Sequence, residues 1–96
     1  MHGSRTMSGE LVAAVAASLP KGADVAVIPP FPYLAELAAA NTGNALAFGA
    51  QDLSEHAQGA YTGEVAGAML REVGCEYVLV GHSERRQFHA ETNQVV

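Results

Sequence analysis

Gly81-His82-Ser83-Glu84-Arg85-Arg86 sets an imidazole, a hydroxyl, a carboxylate and two guanidinium groups in succession, directly after the apolar run Tyr77-Val78-Leu79-Val80. Such a run predicts a buried strand, so the polar residues fall at its carboxyl end. In parallel α/β architectures that end is where ligands bind and chemistry happens. A segment that only reversed the chain would use Gly, Asn, Asp or Pro. The block therefore reads as a site.

His82 has two readings: a hydrogen-bonded core histidine, or a functional ring. Its context favours the second. Ser83, Glu84 and Arg85 open a helical turn, whose N–H groups and positive dipole end lie near the ring. That field favours a neutral imidazole, able to donate a hydrogen bond to a substrate carbonyl. Glu84 either shuttles a proton, anchors a neighbouring lysine, or simply suits a helix N-terminus. Arg85 and Arg86 are expected to form structural ion pairs, with Glu64 and Glu91 as partners.

Other motifs are weaker. Gly81-His82-Ser83 invites comparison with the Gly-x-Ser-x-Gly nucleophile elbow, but Arg85 occupies the last glycine's place. No acid followed by a well-separated histidine lies downstream. Gly59, Gly63 and Gly67 match no phosphate-binding pattern. Cys75 reads as a small buried residue. Cys75, His82 and His89 are too widely spaced for structural zinc, so no metal site is expected.

The elements that hold these residues alternate in type. Gly9 to Leu19 predicts a helix capped by Thr6 or Ser8 and ended by Pro20. Residues 24–28 predict a strand stopped by Pro29-Pro30. A helix from Tyr33 to Ala40 follows, with Pro32 in its first turn and Asn41 and Gly43 closing it. A second strand spans Ala45 to Gln51. The polar connection from Asp52 to Tyr61 is long for a βα loop, a feature common in functional loops. Thr62 is the expected N-cap of a helix from Gly63 to Val73, with Glu64 in its first turn and Gly74 at its end. The third strand is Tyr77 to Val80, and Thr92 is the expected cap of a further helical turn. This alternation implies an α/β fold with about three parallel strands and connecting helices. It does not separate a (β/α)8 barrel from an open doubly wound sheet.

Composition narrows the class. The chain has 96 residues, 49% apolar and 16% charged, with a net charge of −5 and five Lys and Arg together. That balance argues against nucleic-acid and anionic-membrane partners. No run approaches the roughly 18 apolar residues of a membrane span. A lone Cys75 and no recognisable signal peptide lead to a cytoplasmic expectation. The high apolar share also anticipates surface that something else covers.

Five blocks then carry a resemblance to the triosephosphate isomerases: residues 1–5, Pro29-Pro30-Phe31-Pro32-Tyr33-Leu34, Gly49-Ala50-Gln51-Asp52, Gly59-Ala60-Tyr61-Thr62-Gly63-Glu64, and residues 77–86. They run from end to end in the family's order. The resemblance implies a partial (β/α)8 TIM barrel, here as one incomplete segment over residues 1–96. It also implies a homodimer, a triose-phosphate substrate and no cofactor. By this resemblance His82 is the neutral electrophile known for that enzyme, Glu84 supports the active-site lysine, and Ser83 caps the turn. Tyr61, Thr62, Gly63 and Glu64 resemble the loop that enters the other subunit. Arg85 resembles the arginine that meets the partner's equivalent of Glu64, with Phe31 and Gln51 near that contact. Asp52 stands where many relatives carry Asn.

The family's Asn and Lys just before the Met-His-Gly segment are not among these residues. Neither are its catalytic glutamate, its lid or its phosphate-binding loops. The expectation is an internal segment, inactive by itself and poorly folded alone. The alternative is a non-catalytic assembly or complementing fragment of a (β/α)8 protein.

Overall fold

The computed structural model describes residues 1–96. Ser4 starts helix α1 (Arg5–Ala17): its Oγ accepts the Met7 N–H at 3.2 Å. The expected caps, Thr6 and Ser8, are instead inside the helix, and Ser8 is buried. The helix thus begins earlier than the apolar periodicity signals, because a serine cap satisfies free N–H groups before any burial begins. It ends at Ala17 rather than Leu19, because the residue before Pro20 is disfavoured in helical geometry. Strand β1 (Val25–Val27) stops before Pro29-Pro30, and Pro30 leads into α2 (Phe31–Ala40) with Pro32 in its first turn. Asn41 closes α2 as expected, its Nδ2 donating to Leu37 O at 2.8 Å.

Strand β2 (Leu46–Ala50) lies between β1 and β3 (Tyr77–Val78), and both pairings are parallel. Val25 pairs with Leu46 and Ala50 with Val78, so the three strands end on the same side. Leu46, Phe48 and Ala50 alternate along β2 and so share one face, and that face is buried. Val12 of α1, Leu34 and Leu37 of α2, and Leu70 of α3 (Gly67–Glu72) complete this core with Cys75. Cys75 is the small buried residue expected of it. Its Sγ donates to Tyr77 O at 3.1 Å, and burial pushes the thiol's pKa up.

Two further expectations fail here. Helix α3 begins at Gly67 rather than Gly63, so Thr62 is no cap and Glu64 lies outside the first turn. The Ser54 N–H donates to Val65 O at 2.9 Å, which holds that stretch extended against the preceding loop. Glu64 N–H meanwhile closes a separate turn onto Tyr61 O. The end of α3 is as expected: Gly74 N–H bonds Arg71 O and Cys75 N–H bonds Leu70 O, a Schellman closure.

The second failure is burial at β3. Its two residues, Tyr77 and Val78, are 52% and 36% exposed. The strand pairs with β2 on one edge only, and no helix covers its outer face. Only 13 of 96 residues are buried, a core small enough to make a lone folded state marginal. No helix is long and apolar enough to cross a membrane.

Candidate active site

The site is built at the carboxyl end of β3. Past Val78 the chain keeps one more sheet bond, Leu79 N–H to Ala50 O at 2.9 Å, then turns at Gly81. Gly81 has φ 70°, and a Cβ there would lie 2.8 Å from Arg86 Nη2. Only glycine lets the backbone turn this way while Arg86 folds over it, its Nε donating to Gly81 O at 2.9 Å.

His82 follows as the N-cap of α4 (Ser83–Phe88). Its Nδ1 accepts the Glu84 N–H at 3.2 Å. Ser83, expected to cap the turn, is the first helical residue instead. An acceptor at Nδ1 carries no proton there, which assigns the ring proton to Nε2. The histidine is exposed, so Nε2–H remains an available donor. Glu84 is also exposed and takes part in none of the ion pairs.

Arg85, three residues after His82, points into a different environment. Its Nε and Nη2 lie 2.8 and 2.7 Å from Glu91 Oε1, and Nη2 lies 2.9 Å from Asp52 Oδ2. Glu91 was an expected partner; Asp52 was not, and Glu64 forms no such bond. Ala90 has φ 56°, a left-handed turn that brings Glu91 back onto α4. Arg86 uses Gly81 O and Asn93 Oδ1 rather than a carboxylate. Thr92 caps the last turn, accepting the Gln94 N–H at 3.3 Å.

The Glu91 hydrogen bond, above all, raises the Arg85 pKa. Asp52 has a raised pKa despite its ion pair. Burial is the largest cause, and Arg85, already held by both Nε and Nη2 on Glu91, only partly offsets it. A carboxyl whose folded pKa lies above its unfolded one binds more protons when folded. Stability from this group is therefore highest in acid and declines as pH rises from the ordinary carboxylate range through the raised value. Asp52→Asn is expected to flatten that decline in urea unfolding curves taken across acidic pH. An unchanged pH slope would contradict it.

Tyr61, Thr62, Glu64 and Arg85 line one open cleft of about 720 Å³, together with Asp52 and His56. His82, Glu84, Phe31 and Gln51 lie outside it. Gln51 instead reaches across the strand ends, its Nε2 donating to Ile28 O at 3.0 Å, and Phe31 opens α2 beside that point, 38% exposed. The cleft reaches the end of the β3 segment at Val80 and Gly81 but stops short of His82.

His56 was not singled out from sequence. Its ring stacks on Tyr61 with centroids 3.9 Å apart and planes 7° apart. A histidine and a tyrosine either side of Gln58-Gly59 is the only local signal of it.

The family model described as triosephosphate isomerase matches residues 1–96. A triosephosphate isomerase of Stenotrophomonas maltophilia (strain R551-3) is 57% identical over 97 aligned positions, which cover 100% of this chain. One from Xanthomonas campestris pv. campestris (strain 8004) is 55% identical, and one from Xanthomonas oryzae pv. oryzae (strain PXO99A) 53%, each over the whole chain. The chain spans 39% of the length of these relatives. With a parallel β1-β2-β3 sheet and a histidine at the end of β3, the chain belongs to the triosephosphate isomerase family, of which it represents a fragment.

Proposed function

We propose that these residues form the electrophile-bearing part of an enzyme that interconverts dihydroxyacetone phosphate and glyceraldehyde 3-phosphate. The observation that carries this reading is the Glu84 N–H···Nδ1 bond of His82, which leaves Nε2–H as the donor. In the reaction a base removes the proton α to the carbonyl, and negative charge moves onto the carbonyl oxygen as the enediolate forms. Nε2–H of His82 donates to that oxygen and stabilises the charge as it develops. Glu84 supports this by anchoring the active-site lysine, in keeping with an exposed carboxylate free of other ion pairs. The base, the lysine and the phosphate-binding loops are contributed by segments outside residues 1–96.

The active protein is a cytoplasmic homodimer without a cofactor, and residues 1–96 are one segment of a single barrel domain. Tyr61, Thr62, Gly63 and Glu64 enter the second subunit. Arg85, Phe31 and Gln51 line the contact. The cleft shared by Tyr61, Thr62, Glu64 and Arg85 supports grouping those four residues. A second reading, a non-catalytic complementing fragment, draws support from the uncovered β3.

Residues 1–96, exchanged in frame for their counterpart in the Stenotrophomonas maltophilia relative, are expected to give an active isomerase in a coupled triose-phosphate assay. The isolated chain is expected to give none, because proton abstraction needs the absent base. An inactive but folded chimaera would sink the catalytic reading and leave the non-catalytic one. Turnover by the isolated chain, abolished by His82→Ala, would defeat the dependence on the missing segments.

A further inference from the structure

The connection from β2 to α3 is closed at its neck by Ser54 N–H donating to Val65 O at 2.9 Å. Inside this loop the His56 N–H donates to Ser54 Oγ at 3.2 Å, which fixes the backbone beneath the imidazole. The ring then lies flat on Tyr61, centroids 3.9 Å apart. Gly59 makes room for the pair: its φ is 139°, and a Cβ there would come within 2.7 Å of Tyr61 Cε2. The next turn, Glu64 N–H to Tyr61 O at 3.0 Å, starts from the stacked residue itself.

Tyr61 remains 45% exposed in this arrangement. The stack therefore adds little to the core, whose members lie elsewhere. What it does fix is the direction of Tyr61 and the start of the Tyr61–Glu64 turn. A loop that is ordered only on association loses its freedom at that moment and weakens the contact accordingly, whereas a loop already in shape does not.

We infer that the His56–Tyr61 stack preorganises this loop for association with a second copy of the protein, making His56 a positioning residue for subunit contact. This rests on the dimer reading above. The ring acts through its flat face and its contact with Tyr61, so another planar aromatic ring serves in its place. A two-fold dimer uses two such loops, so any loss counts twice in the dissociation constant.

The test uses the full-length chimaera carrying residues 1–96, diluted through its dimer–monomer transition and followed by sedimentation. His56→Ala is expected to raise the dimer dissociation constant about tenfold, the scale of losing an aromatic pair from each loop. His56→Phe is expected to restore it to within about threefold of the parent. Gly59→Ala, which drives a methyl into the Tyr61 ring, is expected to act like His56→Ala. A parent dimer left unchanged by His56→Ala overturns the inference alone. Equal weakening by His56→Ala and His56→Phe overturns it too, since stacking is then not the cause. A parent that stays monomeric at every concentration removes the dimer reading and this inference with it.

Discussion

His82→Asn and His82→Ala, placed in the full-length chimaera, are each expected to lower kcat on the order of 10²- to 10³-fold with KM little changed. That range is typical for removing one donor aimed at a developing oxyanion. A donor whose bond strengthens only as charge moves onto the carbonyl oxygen contributes to the transition state, not to ground-state binding, so the loss falls on kcat. The two variants differ in what else they remove. His82 also caps α4 through Nδ1. Asparagine is a good cap whose side-chain oxygen accepts the same N–H, but its amide is too short to reach where Nε2 lies. Alanine loses donor and cap together, and is expected to lower unfolding stability by about 1 kcal/mol more than asparagine. A histidine that mattered only structurally would give the opposite pattern: normal turnover in His82→Asn and a deficit in His82→Ala that tracks stability. Steady-state kinetics beside urea unfolding of both proteins separates the two.

Arg85→Met is expected to destabilise the same protein by about 2–3 kcal/mol. An exposed ion pair contributes at most about 1 kcal/mol, and Arg5–Glu36 on the surface between α1 and α2 is of that kind. Arg85 differs in being enclosed and shared. Its side chain is 29% exposed, those of Asp52 and Glu91 are 23% and 14%, and one guanidinium serves both acids. Methionine keeps the apolar stem and leaves two partly buried carboxylates facing each other without a cation. Protonation relieves that repulsion, so the deficit is expected to shrink as pH falls through the acidic range. A loss below about 0.5 kcal/mol that ignores pH would mean that water solvates both acids and the cluster is incidental.

Legibility in the sequence followed the range of the interaction that decides each feature. Strands β1 and β2, helix α2 and the end of α3 were readable because prolines, Asn41 and Gly74 act on their immediate neighbours. The helical turn at Ser83 to Arg85 was readable on the same grounds. The late start of α3 was not, because Ser54 holds Val65 from across the loop, and Thr62 is a good cap by local standards. The choice of Asp52 over Glu64 as a partner of Arg85 depends on how loop 52–64 lies against α4, which spacing does not encode. Exposure of β3 was legible only in outline, as an apolar share too high for the chain's own surface. Its residues are those of a buried strand, and residues 1–96 contain nothing that covers them.

The proton position on His82 depends on very little of this architecture. The bond that assigns it joins residues two apart, within one turn of one helix. A tautomer determined so locally travels with its tripeptide. Segments that carry this turn can then be exchanged between distant relatives, or joined from separate pieces, with the Nδ1 bond already formed. Recombination must re-establish packing across the new seams, while the donor arrives already set.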